Sequence, residues 1–430
     1  MKEDADYIYE QAKKHVEWFS KSLPMIASEN IISPMARDLM LSEFQDKYAE
    51  GPPGDRYYEG NEYVDNVEVK AQELAKELFG VDYADVRPIS GTNANQAVLM
   101  ALGGPDKSIT SVDVSDGAHI SSAQFGSVGL RGMKPQTYPF DVDEMNIDVE
   151  GTKELIRDVE PDVALFGRSV FMFPPPLEEL QDVFEEVGCD VWYDGAHVLG
   201  LIAGNEFQQP LENGVDVMTG STHKTLPGPQ RGIILANPKS EEMEEGLFYG
   251  MFPGVVSNHH LHSMAALGIA LAEHEKFGEE YASQIIDNAQ ALGQSLSERG
   301  IEVLCEHKGF TRSHTLAIDV QDMGGGETLV EAMEDANMIA NKNLLPWDDV
   351  DSANEPSGIR LGTQALTRLG MKESHMDEVA EFIKRIIVDD EDPEKVKKDV
   401  MEFRKDFQEI QFCFHEGFPA HKHFSILDQG

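Results

Sequence analysis

Val217-Met-Thr-Gly-Ser-Thr-His-Lys-Thr-Leu-Pro-Gly-Pro229 decides how this chain is read. An apolar run leads into it, a Pro/Gly turn closes it, and a second apolar run follows at Gly232–Ala236. That spacing puts Lys224 just past a strand end. Upstream, Val191-Trp-Tyr-Asp-Gly-Ala-His197 puts Asp194 at the end of another strand. A strand-end amine and a strand-end carboxylate together suit pyridoxal 5′-phosphate (PLP). The amine condenses with the aldehyde, and the carboxylate keeps the pyridine nitrogen protonated. Either residue alone is more often a solvated side chain.

The same alternation extends outward. Between residues 81 and 236, short apolar runs at 109–114, 163–166, 189–193, 215–219 and 232–236 alternate with helical stretches. This predicts an α/β layer around a mainly parallel sheet. Ahead of it lie a helix over 7–22, a Gly-, Pro- and Tyr-rich extended arm over 48–65, and helical period over 67–79. Behind it, a long helix is predicted from 260 to 299. A second α/β region follows, with strands near 301–305 and 314–320 and a helix at 376–388. The expected division is an N-terminal helix and arm (1–80), a large domain (81–275) and a small C-terminal domain (276–430).

The 430 residues carry 78 acidic and 35 basic side chains, a net charge of -43. Phosphate-rich partners would be repelled, which argues against nucleic acid and anionic membrane surfaces. The acids run through amphipathic segments such as 154–160 and 241–245 rather than one tail. They read as a solvated surface suited to a high-salt cytoplasm. A halophilic source is therefore an expectation. The sequence has no apolar run of membrane-spanning length and no signal-peptide pattern at its start, and Cys189, Cys305 and Cys413 are its three cysteines. A cytoplasmic protein without a disulfide framework is expected.

Further residues bear chemistry. Ser90-Gly-Thr-Asn-Ala-Asn-Gln96 follows an apparent strand and opens a helix, so its N–H groups and the Ser90 and Thr92 hydroxyls could cradle a phosphate. His119 sits in a polar loop and could stack on a ring. Arg360, between glycines in Ser357-Gly-Ile-Arg-Leu-Gly-Thr363, offers a fork for a carboxylate. Tyr48, Glu50, Tyr57 and Tyr58 give the arm a carboxylate and phenols for proton handling. In the tail, Cys413-x-His415 and His421-x-His423 suit a zinc ion, with Cys305 and His307 as further ligands if the tail folds back. The alternative is a solvated tail with incidental histidines.

Taken in order, eight motifs resemble the serine hydroxymethyltransferase family along nearly the whole chain. They are Ile26-Ala-Ser-Glu-Asn30, Lys47-Tyr-Ala-Glu-Gly51, Arg56-Tyr-Tyr58, Glu62-Tyr-Val-Asp65, Ser90-Gly-Thr92, Asp194-Gly-Ala-His197, Thr222-His-Lys-Thr-Leu226 and Ser357-Gly-Ile-Arg360. The resemblance implies a fold-type I PLP-dependent transferase, an α/β protein with a large mainly parallel-sheet domain and a smaller C-terminal α/β domain. It implies transfer of the serine hydroxymethyl group to a reduced pterin, tetrahydrofolate or tetrahydromethanopterin, leaving glycine. Lys224 would be the Schiff-base lysine, beside His223 and Ser221. Asp194 would pair with the pyridine nitrogen, His197 would reach the phenolic oxygen, and His119 would stack on the ring. Ser90, Gly91 and Thr92 would hold phosphate, and Ser169 would touch the cofactor. Ser28 and Arg360 would hold the substrate carboxylate, and Asn343 would meet the pterin. Glu50, Tyr57 and Tyr58 would serve the substrate side. Tyr48, Glu50 and Tyr58 would reach the partner's site, which makes an obligate homodimer.

Several positions depart from the family's common pattern. Ser257-Asn258 stands where a Gly-Gly pair is usual, Gln230 where Arg is common with Arg231 one place later, and Asp116 and Ser122 where histidines flank His119. They look like an archaeal branch and leave the phosphate contacts and the carrier open. A pterin-independent aldolase acting on threonine or allo-threonine is the nearest rival reading. A catalytically silent acidic binding subunit is the rival from another class.

Overall fold

The computed structural model describes residues 1–349, 354–423 and 425. α1 (Lys2–Phe19) opens the chain with Glu3 and Asp4 in its first turn, where carboxylates meet the positive end of the helix dipole. Leu23 and Pro24 then pair in parallel with Met338 and Ile339, which stitches the N-terminal segment to the C-terminal third. The arm expected over 48–65 has no regular structure as far as Asn61, but its end needs correction. α2 (Glu62–Phe79) starts inside it and buries Val64, Glu68, Ala71 and Ala75 along one stripe. Gly80 at φ +63° closes the helix in the left-handed region that an L side chain disfavours.

Seven strands make the central sheet: β1 (Tyr83–Asp85), β2 (Ile109–Ser111), β3 (Pro135–Thr137), β4 (Val163–Phe166), β5 (Asp190–Asp194), β6 (Val217–Ser221) and β7 (Gly232–Ala236). Their spatial order is β1-β7-β6-β5-β4-β2-β3. β3, β2, β4, β5 and β6 run parallel. β7 runs antiparallel to both β6 and β1. The Lys224 turn that joins β6 to β7 is too short for a crossover, so it returns the chain antiparallel. β4, β6 and β7 are buried at every position, as a sheet covered on both faces requires. α3 (Gly91–Leu102) packs across β6 and β7.

α4 (Leu261–Ser297) is the longest helix and passes between two cores. Its residues Leu261 to Ile285 join the cluster that includes β4, β5 and α2, while Leu292 and Leu296 join a second cluster in the C-terminal third. That third holds the antiparallel sheet β8 (Glu302–Val303), β9 (Thr315–Asp319), β10 (Asn341–Asn343) and β11 (Gly358–Gly362), ordered β8-β9-β11-β10. α5 (Glu373–Ile387) packs against α4 beside it. Among the described residues no helix is long and apolar enough to cross a membrane.

Candidate active site

Parallel strands direct their C-terminal ends to one edge of a sheet, where a crevice forms. Here Asp194 ends β5, Ser221 ends β6, and the Gly91 turn opens α3 at the same edge. A cavity of about 360 Å³ lies there. It is lined by Ser28, Ser90, Gly91, Thr92, His119, Ser169, Asp194, His197, Ser221, His223 and Lys224, which the sequence had singled out, and by Glu29, Asn95, Arg168, Ala196 and Gln230.

The cavity's phosphate-sized end is built from backbone. Ser90 caps α3, its Oγ accepting from Asn93 N at 3.1 Å, and the first N–H groups of the helix remain for an anion. A Cβ on Gly91 would sit 2.3 Å from Ser221 Oγ, so any larger residue there would displace that hydroxyl from the cavity wall. At the middle of the cavity Asp194 is fixed by two donors. Asn95 Nδ2 donates to Oδ2 at 2.8 Å and Ala196 N donates to Oδ1 at 3.0 Å. Asn95 is held in turn by Thr219 Oγ1, which donates to its Oδ1 at 2.7 Å. A carboxylate so oriented suits a pyridinium N–H. His119 accepts from Ser121 N at Nδ1 (3.2 Å), which leaves Nε2 and the ring face for the cavity.

Lys224 is only 7 % exposed. Burial pushes its ammonium down to about 8, with Asp194 opposing and Arg360 assisting the shift. Among the described residues it forms no ion pair within 4.0 Å, so a nucleophilic amine is available near neutral pH. His223 is pushed down to about 4 by burial and the nearby Lys224, and its Nδ1 is buried without a partner. Burial and the cations Lys224 and Arg360 likewise keep His197 neutral. Arg360, buried on β11, donates Nη1 to Ser169 O at 3.0 Å and Nε to Asn341 Oδ1 at 3.3 Å, and has no carboxylate partner among the described residues. An unspent amine, an orphaned imidazole nitrogen, a glycine-lined cradle and an uncompensated guanidinium fit PLP and an amino-acid carboxylate.

Other predicted residues are not brought to this cavity. Tyr48, Glu50, Tyr57 and Tyr58 stay outside it, and the Tyr57 and Tyr58 rings are 75 % and 46 % exposed. Glu50 lies beside Tyr58 and raises its phenol. Asn343 lines a neighbouring cavity of about 270 Å³ on the far side of His119 and Ser169.

Several of the departures have structural accounts. Arg231 is fully buried and spent on His260 O, Ser263 Oγ, Val86 O and Arg87 O, while Gln230 takes the cavity wall. Asn258 clamps the arm: its Oδ1 accepts from Ala49 N at 2.9 Å and its Nδ2 donates to Lys47 O at 3.1 Å. Burial and Asp113 raise Asp116 to about 6 against the pull of Arg168. The reading of the tail as a zinc site finds no ligand set: among the described residues no three His, Cys, Asp or Glu side chains gather as a metal requires. Cys413 is buried in the C-terminal core, Cys305 Sγ faces Asp143 O, His421 lies near Phe19 and His423 against Tyr9.

Sequence reasoning missed Asn95 and Arg168. Asn95 was legible in part, one helical turn after Gly91 on the same face of α3. Arg168 carries no local signal. Its buried guanidinium donates to Met145 O, Asn146 Oδ1 and Phe173 O, partners from a segment far back along the chain and from the next loop.

A serine hydroxymethyltransferase family model matches residues 1–383. A serine hydroxymethyltransferase of Thermoplasma acidophilum is 51% identical over 412 residues, 96% of each chain. One from Methanopyrus kandleri is 49% identical over 426 residues, 99% of each. One from Pyrococcus furiosus is 50% identical over 421 residues, 97% of this chain and 99% of that one. Among solved structures, an L-threonine transaldolase from Pseudomonas fluorescens superposes with a TM-score of 0.88 at 27% identity, over 99% of this chain and 96% of that one.

Proposed function

The chain belongs to the serine hydroxymethyltransferase family, and from that premise we propose the residue roles, the carrier class and the assembly that follow. The protein is a PLP-dependent transferase of fold type I that interconverts serine and glycine with transfer of one carbon. The observation that carries the site assignment is Lys224: buried, unpaired, and held near about 8 opposite Asp194.

When bound, PLP supplies the electron sink for cleavage of the serine Cα–Cβ bond. The chain's own residues do the rest. Lys224 would hold the cofactor through its neutral amine. Asp194, fixed by Asn95 and Ala196, keeps the ring nitrogen protonated. His119, His197 and His223 would contact the ring, and the α3 start with Ser90, Gly91, Thr92 and Ser221 would hold the phosphate. Ser169 sits beside Arg360, and Arg360 with Ser28 orients the substrate carboxylate, a bidentate contact in a dry site. Glu50 moves the proton of the departing hydroxymethyl group.

The exposed Tyr48, Tyr57 and Tyr58, outside their own chain's cavity, support an obligate homodimer in which each arm completes the partner's site. The carrier is a reduced pterin, tetrahydrofolate or tetrahydromethanopterin, taken beside Asn343. Division into units 1–80, 81–275 and 276–430 is part of the same reading. The passage of α4 from one hydrophobic cluster to the other supports a change of unit within that helix, though between Ile285 and Leu292 rather than at 275/276. A salt-rich cytoplasm is the proposed setting, on the net charge of -43.

Titration of serine cleavage with each pterin is the test. Acceleration by one of them is expected. Cleavage of serine that ignores both, together with efficient threonine cleavage, would favour an aldolase instead.

A further inference from the structure

His314 lies on no wall of the cavity, yet it stands between two segments that do. It is fully buried immediately before β9. Its Nε2 is 3.0 Å from Ala27 O and 3.4 Å from His197 Nδ1. The two imidazoles stack with centroids 5.6 Å apart and planes 22° from parallel. Ala27 precedes Ser28, and its backbone is pressed against β11, where a Cβ on Gly362 would meet Ala27 Cα at 2.5 Å.

A carbonyl oxygen only accepts, so the proton of His314 must sit on Nε2. Thr315 Oγ1, 3.1 Å from Nε2 and 3.4 Å from Nδ1, lies beside both ring nitrogens and selects neither, so Ala27 O decides the tautomer. His197 Nδ1 faces that same N–H and cannot carry a proton without opposing it. Burial disfavours the charged form of both rings. A neutral imidazole has one N–H, which leaves His197 with its proton on Nε2, on the side of the ring turned away from His314.

We propose that His314 is a positioning residue: by donating to Ala27 O it fixes His197 as the Nε2–H tautomer, a donor directed into the cavity. This rests on the reading of the cavity as the PLP site. His197 then gives a hydrogen bond to a cofactor oxygen rather than competing for its proton. The Ala27-Ser28 segment, which meets the substrate carboxylate, is tied to that choice through one shared N–H.

The test is ring-15N histidine labelling of the holoenzyme and solid-state NMR, in which bare and protonated ring nitrogens resonate apart. The His197 signals are assigned by difference against His197→Gln. Wild-type protein should show a bare Nδ1 and a protonated Nε2. His314→Leu should populate the other tautomer and raise the serine KM more than it lowers kcat. His314→Gln, whose amide N–H can reach Ala27 O, should restore both. A wild-type His197 protonated on Nδ1 overturns the proposal whether or not the variants fold, as does an unchanged tautomer in His314→Leu. Borohydride trapping of PLP on Lys224 is the separate check. If trapping fails while the tautomer is as stated, the cofactor reading falls and the His314 geometry stands.

Discussion

Lys224 must shed a proton before it can attack an aldehyde, and the fold makes that easy by denying its ammonium water. The group sits below its ordinary 10.5, near about 8, chiefly through burial. Because the neutral amine is the nucleophile, covalent capture of PLP by cofactor-free protein should speed up as pH rises through about 8 and level off above it. Stopped-flow absorbance checks this, and a rate flat across that region would mean that Lys224 is not the limiting base. Lys224→Ala should lose serine cleavage to background while still binding PLP through Ser90, Gly91, Thr92 and Ser221. Cleavage at the wild-type rate would sink the site assignment. Lys224 and Asp194 were legible in the sequence because strand ends announce themselves through apolar runs. His314 and Arg168 were not. Their partners lie at Ala27 and Met145, and no local pattern encodes that proximity.

The arm shows how an element can be ordered without secondary structure. Arg56 donates Nη1 to Ala49 O and Gly51 O, on either side of Glu50, and Tyr57 N donates to Glu50 O at 3.0 Å. The same guanidinium reaches Asp65 at 2.8 Å and the fully buried Glu68 at 2.7 Å, which also meets His259 at 3.0 Å. Burial alone would raise Glu68, yet His259 and Arg56 hold it down to about 2. A depressed carboxyl adds stability above its ordinary 4.5, and that stability is lost as pH falls through about 2. Arg56→Met would strand Glu68 in the core, at a cost of about 3 kcal/mol on urea unfolding. A cost under about 0.5 kcal/mol would show that the cluster is not holding the arm. Glu50→Gln keeps this frame and removes only the proton acceptor. Its kcat with pterin should fall on the order of a hundredfold with PLP binding intact, and an unchanged kcat would make Glu50 structural. Gly, Pro and Tyr content located the arm, but its C-terminal limit was misread: Asn61 is a residue type that often marks a helix start, and here its amide is spent on Tyr48 O and Tyr58 O rather than on capping α2. The sheet was read correctly as mainly parallel. The antiparallel β7 follows from the short Lys224 turn, which periodicity alone does not measure.

At the scale of the molecule, charge is the unusual feature. An excess of acid, 78 residues against 35 basic ones, lies over a core of ordinary composition. Buried acids such as Asp85 and Glu68 are paired with Arg87 and Arg56, and buried groups such as Lys224 and Arg360, which lack such a partner among the described residues, are cations, so the acidic imbalance is carried by the surface. Helices such as Glu241–Tyr249 and Leu177–Val187 show how: each has acids in its first turn and apolar residues turned inward. Acids at an N-terminus are locally favourable. Summed over the surface they repel one another, and the repulsion is greatest in the compact state. Salt shortens the reach of that repulsion to about 10 Å at 0.1 M and to about 3 Å at 1 M. The buried Arg56, Glu68 and His259 are screened far less, so added salt removes the penalty while leaving the internal pairs in place. Close approach of two such subunits carries the same penalty, so salt should favour assembly as well as folding. The melting temperature should therefore climb from dilute buffer to molar KCl, and the sedimentation coefficient at fixed protein concentration should rise or hold. Choline chloride at equal ionic strength should reproduce most of the gain, because screening does not depend on which cation supplies it. A melting temperature that is flat or falls with KCl would show that the acids are already neutralised by local geometry, and the halophilic reading would be withdrawn.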